Sequence, residues 1–402
     1  MKYIVILGDG MSDRPLRKLN GKTPLEVAKK PNMDFIARNG RCGLLKTLSE
    51  DMPLGSDIAN LRVLGYDPRK YYTGGRGPLE AMSMGIQLRK DDIALRCNLI
   101  TEENGILKDY SGGHISTEEA TELINLVEER FGTREIEFHP GVGYRHILIL
   151  RSSRYSTAIR CNPPHDIMGK KIADNLIKPL NESGRETSRL LNKLILRSKP
   201  ILESHPVNLR RKKKGKLIAN MLWFWGAGKR LELPRFKERF GLNGALISAV
   251  NLLRGIAVYL GLDVIDVPGA TGYLDTNYEG KAEMAMEALE TRDFVYIHVE
   301  APDEAGHEGD VNKKIKAIED LDKRLIGKIL NSLRGEELTI AVLPDHATPI
   351  EVRTHTTDPV PFAIYSTERK GDSVESYSER SAELGSYGIK EGTEFMNLLL
   401  GR

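Results

Sequence analysis

Cysteine is scarce: Cys42, Cys97 and Cys161 are the only three in 402 residues, far apart and in no C-x-x-C pair. That spacing favours free thiols in a reducing compartment over a disulfide framework or a cysteine-based zinc site. Long apolar runs are missing too. The start, MKYIVILGDGM, is apolar for only five residues before Gly8-Asp9-Gly10. A signal peptide is longer, and a membrane span needs about 20 apolar residues, so a cytoplasmic protein without membrane contact is expected. Charge of one sign is not in excess either. The net charge of +3 predicts no nucleic-acid partner. Glutamine occurs once, at Gln87, against plentiful Lys, Arg and Glu, a bias that fits heat-adapted proteins.

What is present is a globular composition, 40% hydrophobic and 29% charged, in a chain too long for one ordinary core. Continuous apolar runs at 3–7, 245–250, 263–267, 293–299 and 338–343 read as buried strands. Helical patterns at 251–261, 280–290 and 312–333 alternate with them. Repeated β then α predicts an α/β fold: a mostly parallel sheet with helices on both faces. The stretch 88–214 has its own strands and helices and ends in the basic run RRKKKGK (210–216). It reads as an inserted α/β domain within a discontinuous domain of residues 1–87 and 215–402. The sheet of that outer domain is expected to resume near Leu217.

Ligands of parallel sheets bind beyond the carboxyl ends of the strands. Asp9, Asp303 and Asp345 each follow such an end, and histidines accompany two of them. Asp303 and His307, four apart in APDEAGH, would share one side of a helical turn. Asp345 and His346 are neighbours in PDHATP, and His355 lies in THTTDPVP. Mixed carboxylate and imidazole ligands suit Mn²⁺, Co²⁺ or Zn²⁺, and two such ions clamp the oxygens of a phosphoryl transfer. A nucleophile is then needed. Ser56, in PLGSDIANL, sits where a helix would begin, as a simple N-cap or as the attacking hydroxyl at an anion-favouring helix end. His298, inside its strand, is assigned to structure. TGGRGP (73–78) lacks the P-loop pattern and reads as a loop. RRKKKGK, without interleaved aromatics, reads as a solvated loop rather than a nucleic-acid patch.

The strings GDGM, PLGSDIANL, APDEAGH, PDHATP and THTTDPVPF, in that order, resemble the alkaline phosphatase superfamily. More closely, they resemble the archaeal type of cofactor-independent phosphoglycerate mutase. The resemblance covers nearly the whole chain, including YSGGHIS (110–116) and GATGYLDTNYEGKA (269–282). It implies an alkaline-phosphatase-like fold with an inserted substrate domain and two divalent metal ions. Mn²⁺ is the first choice, with Co²⁺, Zn²⁺ or Mg²⁺ as alternatives, and 2,3-bisphosphoglycerate is not required. It further implies Asp303, His307 and His355 on one metal, and Asp9, Ser56, Asp345 and His346 on the other. Ser56 would carry the phosphoryl group between the 3- and 2-positions of glycerate. His114 in SGGHIS would meet the substrate, a phosphoglycerate. The arginine strings of bacterial relatives, DGRD and RADR, are absent, so Arg145, Arg254 and Lys229 are expected at the anionic substrate on charge alone. A metal-dependent phosphatase or another phosphomutase is the rival reading, and a homo-oligomer remains open.

Overall fold

The computed structural model describes every residue except 334 and 373. The chain forms two compact units, Met1–Tyr72 with Leu233–Arg402, and Thr73–Glu232. The first unit opens with strands β1 (Lys2–Gly8) and β2 (Arg41–Lys46). The second contains β3 (Ile93–Glu103), β4 (Ile106–Asp109), β5 (Ile136–His139), β6 (Arg145–Leu150), the short β7 (Ile159–Arg160) and β8 (Lys178–Pro179), and β9 (Met221–Lys229). The chain then returns to the first unit with β10 (Gly244–Ile247), β11 (Asp263–Ile265), β12 (Phe294–Val299), β13 (Leu338–Leu343), β14 (Val360–Ser366) and β15 (Gly388–Glu391).

The first unit is an eight-stranded sheet in the order β11-β10-β12-β1-β13-β14-β2-β15. Only β14 runs against the others. The three central strands are wholly apolar or nearly so and, apart from the half-buried Lys2 and Tyr3 that open β1, are buried along their length, because helices cover both faces. One core of Ile, Leu, Val, Met and Ala unites those strands with the helices Pro31–Asn39, Tyr278–Thr291 and Val311–Asp320. The expected helix 312–333 is split by a π-helical segment, Leu321–Ile326. There Asp322 accepts from the backbone N–H groups of Asn32 and Met33 and so caps the neighbouring helix. Among the described residues, no helix is long and apolar enough to cross a membrane.

The second unit is larger than the expected 88–214. Its sheet is antiparallel throughout, β3 pairing with β4, β6 and β9 and β5 with β6. The strand Met221–Lys229, expected to lie in the resumed parallel sheet, pairs instead with β3 and fills its core with Trp223 and Phe224. On the other side of the boundary, the helix Gly77–Ser83 places Ala81 against Ala94, Ile147 and Ile149. Both segments carry apolar side chains that only this sheet buries, which moves the boundaries outward. The basic run is not all solvated either. Arg211 is buried and donates to the carbonyls of Leu217, Gly112 and Gly113 while pairing with Glu119. It staples the loop that precedes His114.

Candidate metal centre

The order β12-β1-β13 at the sheet centre brings three strand ends side by side. Asp9 follows β1, and its N–H donates to Val299 O at the end of β12. Asp303 follows β12 on the helix Ala301–Glu308, and one turn later His307 reaches back so that its Nε2 is 3.1 Å from Asp303 Oδ2. Asp345 and His346 follow β13, both fully buried. His355 arrives on the loop that bridges back at Thr356 to Ala347. All six expected carboxylate and imidazole residues therefore meet. Asp9, Asp345 and His346 form one compact ligand-capable group and Asp303, His346 and His355 another, so His346 lies between the two.

Ser56 is the first residue of the helix Ser56–Val63, and Gly55, extended at φ −149°, takes the N-cap position. Among the described residues no side chain caps this helix start from the N-cap position. Ser56 Oγ is 3.1 Å from His346 Nε2, and the free N–H groups of the helix start favour an anion beside it. Asn60, one turn on, fastens this helix to the cluster. Its Nδ2 donates to Ser56 O and to Asp345 Oδ2, both at 2.8 Å, and its Oδ1 accepts from Tyr296.

The imidazoles are oriented from outside. His307 Nδ1 donates to Arg353 O at 3.0 Å and His355 Nδ1 to Leu54 O at 3.1 Å. His346 Nδ1 meets Thr348 Oγ1 at 3.2 Å. Each ring thus turns Nε2 inward, the arrangement that fixes histidines as ligands. Thr348 also donates to Asp303, which ties the two groups together.

The electrostatics call for cations. Asp9 is pushed well above the usual carboxylate range by burial, and next by the charges of Asp345, Asp303 and Glu300. Its Oδ1 is buried without a hydrogen-bond partner among the described residues. Among the described residues no lysine or arginine pairs with Asp9, Asp303 or Asp345; their ion-pair partners are histidines. Burial also works against the Asp303 carboxylate, but hydrogen bonds from His307 and His355 outweigh it and hold the group well below its ordinary range. His307 is raised to about 9, chiefly by the bond to Asp303. The Nε2 atoms of His307 and His355 face each other at 3.2 Å, a distance that suits a cation bound between oxygen and nitrogen donors. Unsatisfied carboxylate oxygen, inward imidazole nitrogen and the lack of a lysine or arginine partner among the described residues together fit divalent ions.

Asn60 and Thr348 escape the sequence reading, and His298 is assigned there to structure alone. His298 is buried within β12, as its strand position implied, yet it is more than filler. Burial lowers it to about 4, so it is neutral, and its Nε2 holds Asp9 Oδ2 at 3.0 Å while Ser248 Oγ meets Nδ1 at 3.2 Å. A polar side chain in a strand apolar on both faces was the available signal. Of the expected substrate cations, Lys229 pairs with Asp91 and Arg254 with Asp266. His114 and Arg145 belong to the second unit. His114 is exposed and left-handed at φ +49° on a loop gathered by Asp109, and Arg145 lies over the Tyr144 ring.

Comparison with known proteins agrees with the motifs. The family model described as 2,3-bisphosphoglycerate-independent phosphoglycerate mutase matches residues 37–208. Proteins of that name from Methanosarcina barkeri and Methanothrix thermoacetophila are 52% and 51% identical. Each alignment covers 100% of this chain, and 99% and 100% of the relative respectively. Among solved structures, a protein from Pyrococcus horikoshii is similar at TM-score 0.84 and 34% identity, covering 100% of this chain and 96% of its own. The cofactor-independent phosphoglycerate mutase from Thermoplasma acidophilum is similar at 0.69 and 31%, covering 100% and 99%. With identity of this level sustained from end to end, the chain belongs to the family of 2,3-bisphosphoglycerate-independent phosphoglycerate mutases and is an isomerase of phosphoglycerate.

Proposed function

We propose that the protein interconverts 3-phosphoglycerate and 2-phosphoglycerate through a phosphoserine at Ser56, in a centre that holds two divalent metal ions. The observation that carries this reading is the position of the Ser56 hydroxyl. It stands at a helix start beside His346, among three buried carboxylates whose ion-pair partners, among the described residues, are histidines rather than lysine or arginine. Asp303, His307 and His355 would hold one ion, and Asp9, Ser56, Asp345 and His346 the other. Mn²⁺ is the preferred ion, with Co²⁺, Zn²⁺ or Mg²⁺ accepted by the same donors. When bound, such ions neutralise phosphoryl oxygens and lower the pKa of a coordinated hydroxyl.

The chain's own groups do the rest. Ser56 Oγ loses its proton and forms a bond to phosphorus as the bond from phosphorus to the C3 oxygen of glycerate breaks. That oxygen collects a proton. In the return transfer the C2 hydroxyl loses a proton, takes the phosphorus and releases the serine oxygen. Asn60 fixes the serine backbone and Asp345 in one geometry, which favours in-line attack. His298 keeps Asp9 turned toward the centre. His114 and Arg145 are retained as substrate contacts, whereas Lys229 and Arg254 are already engaged with carboxylates.

Phosphorus NMR on the Mn²⁺-loaded protein with 3-phosphoglycerate, and no 2,3-bisphosphoglycerate, tests the reading. A 2-phosphoglycerate signal growing to a fixed ratio is expected, together with its loss in Ser56→Ala at retained fold and metal content. Steady release of free phosphate would make the protein a phosphatase instead. Near-normal turnover in Ser56→Ala would end the phosphoserine mechanism.

A further inference from the structure

The glycine-rich stretch TGGRGP is more than a linker. Gly75 and Gly226 lie in the left-handed region at φ +67° and +64°, and a Cβ on Gly75 would fall 2.3 Å from the Gly226 carbonyl oxygen. A Cβ on Gly77 would meet Ala94 O at 2.3 Å. Glycine is what lets this loop lie directly on β3 and β9. The side chain the loop brings there is Arg76, whose backbone N lies 3.3 Å from the position of a Cβ on Gly226.

Next to Gly226 on β9 is Trp225, whose cross-strand partner is Arg96. The Arg96 guanidinium stacks 4.4 Å from the Trp225 ring, and the residue is only 8% exposed. Among the described residues Glu80 is its one ion-pair partner, 3.2 Å from Nε, yet that Nε makes no hydrogen bond to any of them. Arg76 has no ion-pair partner among the described residues. Arg96 is held below the ordinary arginine range by burial first; Glu80 opposes the shift, and Arg76 and Arg145 add to it. His165, edge-on to Trp225 at 5.6 Å, is lowered by burial and by the same Arg96 and Arg76. Arg145 faces Asn98, two residues along β3 from Arg96, and so lies on the same face of the sheet. Three guanidinium groups thus share one region, and among the described residues Glu80 is the one carboxylate ion-paired with any of them. Clustered like charges, one of them buried and short of a hydrogen-bond partner, are costly unless an anion joins them.

We propose that Arg76, Arg96 and Arg145 form an oxyanion site in the second unit, seated on Trp225, that takes the carboxylate or phosphate of phosphoglycerate. This rests on the mutase reading above. Planar guanidinium forks match both groups in bidentate fashion, and the aromatic face holds the buried fork in place.

The test uses the full-length Mn²⁺-loaded protein in a Ser56→Ala background, which prevents turnover, and calorimetric titration of 3-phosphoglycerate, D-glycerate and inorganic phosphate. Arg76→Ala is expected to weaken 3-phosphoglycerate by about ten- to hundred-fold, the worth of one charge-assisted contact. Arg96→Lys, which keeps the charge and removes the fork, should weaken it likewise. A parallel loss for D-glycerate identifies the bound group as the carboxylate, and one for inorganic phosphate identifies it as the phosphoryl group; either supports the site. Unchanged 3-phosphoglycerate affinity in Arg76→Ala overturns it. A loss that merely tracks a lowered unfolding midpoint also overturns it, since Arg76 would then be structural. Wild-type protein assayed by phosphorus NMR in parallel keeps the two readings apart. Formation of 2-phosphoglycerate alongside unchanged Arg76→Ala binding removes the oxyanion site alone.

Discussion

Replacing Lys314 with methionine should cost the first unit about 3–5 kcal/mol, the expected penalty for stranding the partner of a buried ion pair. Lys314 and Asp13 both have side chains at 0% exposure and pair at 2.8 Å. The ammonium group uses its three protons on Asp13 Oδ2, Ser12 O and Thr348 O. Methionine fills a similar volume, so little cavity cost is added. What remains is a buried carboxylate that keeps bonds only from the N–H groups of Arg14 and Ile350. Adding Asp13→Asn removes that stranded charge and keeps an oxygen for those N–H groups, so the double variant should recover at least half of the loss. The readout is urea unfolding followed by circular dichroism for wild type, both single variants and the double, which closes a mutant cycle. Metal affinity should fall in Lys314→Met as well, because Thr348 touches both Asp303 and His346. A cost below about 1 kcal/mol, or a double variant no better than Lys314→Met, would refute the reasoning.

Two further outcomes follow from buried polar groups. His146, in β6, accepts from the Gly141 N–H at Nδ1, and burial lowers it to about 3. A depressed histidine contributes stability that is full above about pH 6.5 and is lost as pH falls toward 3. The loss is about 2 kcal/mol by pH 5. Both tryptophans, Trp223 and Trp225, lie in the same unit, so denaturant midpoints read by their fluorescence should drop between pH 7 and 5 in wild type and much less in His146→Asn. Equal drops in both proteins would show that other groups set the acid response. In the metal centre, Asn60→Leu removes the bonds to Asp345, Ser56 O and Tyr296 and should weaken metal binding about 10- to 100-fold. Calorimetric metal titration below the unfolding transition of the variant checks this, and wild-type affinity there would make Asn60 dispensable.

Sequence alone was enough to identify β1, β10, β11, β12 and β13, because a strand covered on both faces must be apolar throughout, but it missed β2, β14 and β15 of the same sheet, which lack such an unbroken run or are short. It also marked Asp9, Asp303 and Asp345, since an acidic residue just past such a strand stands at the carboxyl edge of the sheet, where ligands bind. The helical i,i+4 step joining Asp303 to His307 follows from local geometry. Three other features depended on tertiary contacts. The adjacency of β12, β1 and β13 turned three separate strand ends into one cluster. The cross-strand register put Arg96 against Trp225 and drew β9 into the second sheet, away from the expected boundary at 214. The contact of His298 with Asp9 came from neighbouring strands whose residues are 289 positions apart. Periodicity and turn chemistry are read within a few residues, so they report which face or end a side chain occupies. Which distant carboxylate, ring or guanidinium stands opposite is set by strand order and register, and these are decided only when the whole core is buried together.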